Sequence, residues 1–158
     1  MMLQFFNDLK RARIAGHPIH SMLVHFPSAL FPISLVFDIL SIIMQSTCLA
    51  CAAFYCIAAG ILLGMAAAFV GAMDYSRLPS THPAWNKASL HALLNVTWLI
   101  LFSIVFGLRV KQYPNFGLAT SLEMIISTIA VIGLIYSNYL GGVLVFGYKL
   151  GFDEKDQP

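Results

Sequence analysis

Three of the chain's five histidines fall in one stretch, His17-Pro18-Ile19-His20-Ser21-Met22-Leu23-Val24-His25-Phe26-Pro27, at the mouth of the first long apolar segment. An imidazole can coordinate a metal ion or a heme iron. Inside lipid it costs free energy unless it is paired, hydrogen-bonded or coordinated, so a histidine at membrane depth points to function. The other two, His82 and His91, flank the start of the third apolar segment. What these imidazoles can do depends on the elements that hold them.

Those elements are membrane helices. The chain is 59% apolar and only 10% charged, with a positive mean hydropathy, whereas about a quarter of the residues of a soluble domain carry charge. Four segments approach the roughly 20 apolar residues that span a bilayer: 21–44, 49–73, 88–108 and 121–146. Lipid gives the backbone no hydrogen-bond partner, so the spans must be helical. Little of the 158 residues remains for anything else, no internal repeat is evident, and one domain, 1–158, accounts for the chain. The fold class expected is an all-α membrane protein, an up-down four-helix transmembrane bundle. Lys10, Arg11 and Arg13 follow the apolar Leu3, Phe5, Phe6 and Leu9, the reverse of a secretory signal, and suggest a short N-terminal interfacial helix.

Charge sets the orientation. Lys10, Arg11, Arg13, Arg77, Lys87, Lys149 and Lys155 lie at the termini and in the second loop, against Arg109 and Lys111 near the third. The positive-inside rule then places both termini in the cytoplasm and every histidine in the cytoplasmic half. A net charge of +2, tied to topology, gives no reason to expect nucleic acid.

His25 is about four residues into the first span and His91 about three into the third, roughly 5–6 Å below one surface. In an up-down bundle these spans are diagonal, and bundles build cofactor sites from inward-facing side chains of facing helices. Two imidazoles at one level could hold a b-type heme from both faces. Room for it is offered by Ala66, Ala67, Ala68, Gly71 and Ala72 in the second span and by Gly141, Gly142 and Gly147 in the fourth. The small residues Ala52, Cys56, Gly60, Gly64, Ala68 and Ala72, four apart, equally make a helix-packing stripe.

Asn95, one turn from His91, could orient that ligand or bond across helices. Arg77 and Lys87 could meet heme propionates or serve as interfacial anchors. Asp38 is about 20 Å deeper than His25 and roughly 220° around the helix, so it is expected to pair near the outer surface with Arg109. The competing site is a Zn, Cu or Fe ion held by several of His17, His20, His25, His82 and His91. A third reading is a cofactor-free structural or transport accessory whose imidazoles are satisfied by hydrogen bonds. No paired-carboxylate, HExxH, P-loop, GxSxG or Rossmann pattern occurs, which leaves no ordinary hydrolase or nucleotide-dependent enzyme to argue for. Cys48 and Cys51, with Cys56 beyond, form a CxxC at the outer end that small size and packing explain as well as redox chemistry does.

The run GHPIHSMLVHFP at 16–27, Phe37-Asp38, His91-Ala92-Leu93-Leu94-Asn95 and Gly141-Gly142 resemble a widespread bacterial family of four-helix membrane proteins catalogued as a domain of unknown function. The resemblance runs from about residue 16 to 151. It implies the bacterial inner membrane and, since relatives are sometimes fused to Rieske iron–sulfur domains, a redox setting. Many relatives read His-Pro-x-His-Pro where this chain has Ser21, which leaves the start of the first helix less fixed. The expectation is a heme b protein ligated by His25 and His91, embedded in the lipid bilayer and passing electrons between a membrane quinone pool and a redox partner protein, with a homodimer also compatible.

Overall fold

The computed structural model of the chain describes residues 13–14 and 17–151. The expected interfacial helix falls on the first fifteen residues, of which only Arg13 and Ile14 are described, and these two form a short strand instead. A two-residue antiparallel pairing of β1 (Arg13–Ile14) with β2 (His17–Pro18) leads into α1 (Ile19–Leu23), α2 (His25–Met44), α3 (Thr47–Ser76), α4 (Trp85–Val110) and α5 (Ser121–Gly142), the last continued by a π-helical turn, Val143–Gly147. Four helical stretches, Ile19–Met44, Thr47–Ser76, Trp85–Val110 and Ser121–Gly147, are long and apolar enough to cross a membrane. Each has 26 residues or more, and at 1.5 Å per residue reaches about 39 Å, beyond the roughly 30 Å hydrocarbon core.

Local chemistry sets the ends. The first helix begins at Ile19, two residues before the expected boundary, because Pro18 has the fixed φ of a helix start and no N–H to leave unsatisfied. It is interrupted at Val24, where Pro27 has no N–H to give to the Leu23 carbonyl. Gln45, left-handed at φ 50°, ends α2 and lets α3 follow after Ser46. Thr120 opens α5 with a capping box: its hydroxyl accepts from the Glu123 amide and the Glu123 carboxylate accepts from the Thr120 amide.

α2 packs on α3 and α5, and α4 packs on the same two helices, so α2 and α4 are diagonal. They meet along the axis of the bundle, where Phe31 stacks on Phe102 at 3.8 Å between ring centroids and an interplanar angle of 3°. Ile57, Val105, Ala130, Val131 and Leu134 close around that stack. The outward faces carry Ile43, Leu62, Phe69, Leu93, Ile132 and Phe146, a surface suited to lipid. Exposed hydroxyls on this side, Thr97 and Ser103, donate to carbonyls one turn back in their own helix.

Toward the end of the bundle away from the imidazoles, Asp38 and Arg109 form the pair anticipated from the sequence, two parallel hydrogen bonds of 2.8 Å each. Asp38 is fully buried and Arg109 is 5% exposed.

Three of these axial contacts share one spacing: His20 and His91, Phe31 and Phe102, and Asp38 and Arg109 are each 71 positions apart, and each pair meets across the axis. The first and third spans therefore face each other at matched levels.

Removing one member of a buried ion pair strands the other's charge, at about 3–5 kcal/mol. Asp38→Asn is expected to lower the melting temperature in detergent sharply. Adding Arg109→Met on that background should recover part of the loss.

Candidate functional site

The histidine that meets His91 is His20. Its ring centroid lies 6.5 Å from that of His91, with the ring planes 87° apart. Starting at Ile19, the first helix carries His20 on the line of Pro27, Phe31 and Asp38, all buried: eighteen residues are five full turns, so His20 and Asp38 share a face. His25, five residues on, is turned about 140° from that line and is exposed, its Nδ1 3.3 Å from the Met22 carbonyl oxygen in its own chain segment. The structure therefore places His25 away from His91. Depth alone had singled it out; the direction of the side chain separates the two candidates.

Both axial imidazoles are held in the same way. Nδ1–H of His20 donates to the Ala67 carbonyl at 2.9 Å, and Nδ1–H of His91 donates to the Ser137 carbonyl at 2.9 Å. A carbonyl only accepts, so Nδ1 carries the hydrogen in each neutral ring and Nε2 keeps the lone pair. One turn beyond each carbonyl stands a glycine. A Cβ on Gly71 would lie 2.7 Å from Cε1 of His20, and one on Gly141 would lie 3.1 Å from Cε1 of His91. The small residues at these ends of the second and fourth spans thus back the imidazoles directly.

Asn95 sits over His91. Its Nδ2 donates to the His91 carbonyl and to the Ser137 hydroxyl, both at 2.8 Å, and lies 3.1 Å from His91 Nε2. The same amide is thus within reach of three acceptors, one of them Nε2 of His91. Nε2 of His20 has no hydrogen-bond partner among the described residues. The pair therefore presents two oriented imidazoles, one of them with Nε2 beside an amide donor.

The other expected site residues lie elsewhere. His82 is in the loop before α4, where its Nδ1 accepts from the Ala84 amide at 3.1 Å and so helps begin that helix. His17 is in β2, and its side chain lies outside the described residues. Arg77, at the end of α3, is exposed and 3.4 Å from Asp74. Lys87 lies over the Tyr148 ring at 5.6 Å. Among the described residues no group of three or more His, Cys, Asp or Glu is arranged to hold a metal ion. Cys48 is exposed, Cys51 and Cys56 are half-buried, and all three are free thiols. Sequence reasoning passed over Ala67, Ser137 and Gly71 as individual partners.

Four apolar helices around an axis of inward polar side chains define a polytopic α-helical membrane protein. The chain belongs to the family described as "Predicted membrane protein (DUF2231)", whose pattern matches residues 16–154. No curated protein and no solved structure matches the chain.

The glycine contacts are open to a direct check. Gly71→Val should displace His20 and lower the melting temperature in detergent. Gly142→Val, where nothing lies within 4 Å of the added Cβ, should leave it unchanged.

Proposed function

We propose that the chain is a b-type cytochrome of the membrane, with His20 and His91 as the axial ligands of one heme b. The observation that carries this reading is the imidazole pair on diagonal helices, both with Nδ1 tied to a carbonyl. Two metal–nitrogen bonds of about 2 Å, with ring radii of about 1.1 Å, put the centroids of trans imidazoles about 6 Å apart, against about 5 Å for a tetrahedral ion. The separation of 6.5 Å favours the trans arrangement. A tetrahedral Zn, Cu or Fe site would also need further ligands, and His25 and His82 are turned to other partners.

The protein's own groups would do three things. The Ala67 and Ser137 carbonyls orient the rings and raise their basicity as ligands. Gly71 and Gly141 leave backbone rather than side chain against them. Arg77 and Lys87, at the same end of the bundle, are within the region where acidic substituents of a cofactor would emerge. Heme in such a place supplies a one-electron couple, suited to passing electrons between a membrane quinone pool and a partner protein. The positive-inside rule supports a cytoplasmic location for this end, and the family resemblance supports the inner membrane.

One observation favours a second reading. The Asn95–His91–Ser137 hydrogen bonds and the His20–Ala67 bond hold both rings without a metal, as a cofactor-free accessory protein would require.

Protein produced in heme-sufficient cells and purified in mild detergent should be red, with a spectrum that changes on reduction. His20→Ala and His91→Ala should each lose or strongly perturb the heme, and His25→Ala should retain it. Colourless wild-type protein would sink the proposal. Reporter fusions at the C-terminus and near Pro114 should report cytoplasm and periplasm respectively; the reverse would move the imidazole pair to the outer side.

A further inference from the structure

The CxxC pair has no part in the reading above. Cys48 and Cys51 stand at the start of α3, at the end of the bundle away from the imidazoles, and both are free thiols. Packing does not account for Cys48. The line that α3 buries runs through Ala50, Ala53, Phe54 and Ile57, whereas Cys48 lies about 160° around the helix from Ala50 and is exposed. Cys51, about 100° from Ala50 and so nearer that line, is half-buried.

The spacing suits a bond between the two. Three residues of helix rise about 4.5 Å and leave the Cα atoms about 5 Å apart, inside the roughly 4.4–6.8 Å that a disulfide bridges. Cys56 is out of reach of both, its Cα about 9 Å from that of Cys51 and about 12 Å from that of Cys48. Cys48 and Cys51 also border one cavity of about 470 Å³, which Asn115 and Phe116 of the loop between α4 and α5 line as well. The pair thus shares a space that a second sulfur compound can enter.

We propose that Cys48 and Cys51 form a redox-active dithiol that exchanges with disulfide-bearing molecules, Cys48 attacking and Cys51 resolving. The Cys48 thiolate attacks one sulfur of the incoming disulfide. A bond forms between them, and the other sulfur leaves as a thiolate that takes up the proton Cys48 gave. The Cys51 thiolate then attacks the Cys48 sulfur, closes the intramolecular disulfide and expels the second thiolate, which takes the Cys51 proton. Two protein thiols are oxidised by two electrons, and one disulfide is reduced to two thiols. The order follows exposure, since the reachable thiol is the one that meets the substrate. On the orientation proposed above, this end meets the oxidising side of the membrane, where disulfides persist; the exchange itself needs no heme.

The chain, purified in mild detergent, is reduced with dithiothreitol, desalted and mixed with oxidised glutathione. Alkylation of the remaining thiols and mass mapping read the result without reference to colour, so its outcome is separate from that of the cytochrome reading. Alkylatable thiols should fall from three to one, Cys56, with Cys48 and Cys51 cross-linked, and dithiothreitol should restore all three. Cys51→Ser should stop at a mixed disulfide between glutathione and Cys48, and Cys48→Ser should leave Cys51 free. Three thiols that stay free in folded protein, consumption of Cys56 in place of the pair, or a wild-type chain that halts at a glutathione adduct would overturn the proposal. An adduct on Cys51 in Cys48→Ser as abundant as that on Cys48 in Cys51→Ser would equally overturn it.

Discussion

Lipid gives a polar group nothing to bond to, and the rotation of each helix in this bundle follows from that one constraint. In α1 and α2 the groups that cannot face lipid, His20, Ser34, Asp38 and Ser41, lie along one line; in α4 they are His91, Asn95 and Arg109. Turning these lines toward each other makes the first and third spans diagonal partners and leaves apolar residues for the remaining surface. Ser34 and Ser41 complete the accounting by donating to the Phe31 and Asp38 carbonyls of their own helix.

Once the polar lines face inward, packing is decided by what the second and fourth spans place beside them. Rings on one helix repeatedly meet glycine on the next. A Cβ at Gly60 would lie 2.6 Å from the Phe31 ring, and Gly133 stands against the indole of Trp98. Close approach of this kind is how membrane helices gain dispersion energy without a hydrophobic drive between them. The same device serves the imidazoles, so the candidate site is built from the ordinary packing rule of the bundle.

The sequence made the class, the four spans and the Asp38–Arg109 pair legible, because each rests on a quantity that composition displays: run length, apolarity, and the rarity of charge in lipid. The direction of the histidines was not displayed. In a soluble helix the apolar stripe marks the inward face, but here both the core and the lipid side of α2 are apolar, and periodicity in hydrophobicity is faint. Depth was the remaining criterion, and by depth His25 is the better match to His91. Only the polar residues mark the face, and the distance of five turns from His20 to Asp38 is the signal that distinguishes His20 from His25. The partners of the imidazoles were harder still, since two are backbone carbonyls and two are glycines, groups that carry no chemical label in a sequence.

At the level of the ion pair, the first hairpin carries Asp38 and the second Arg109. If the first hairpin of one molecule associated with the first hairpin of another, carboxylate would meet carboxylate; two second hairpins would set guanidinium against guanidinium. Either mismatch would leave like charges buried in hydrocarbon. Each hairpin is therefore complementary only to the other kind, and this single position discriminates against the pairing of two like hairpins in the membrane.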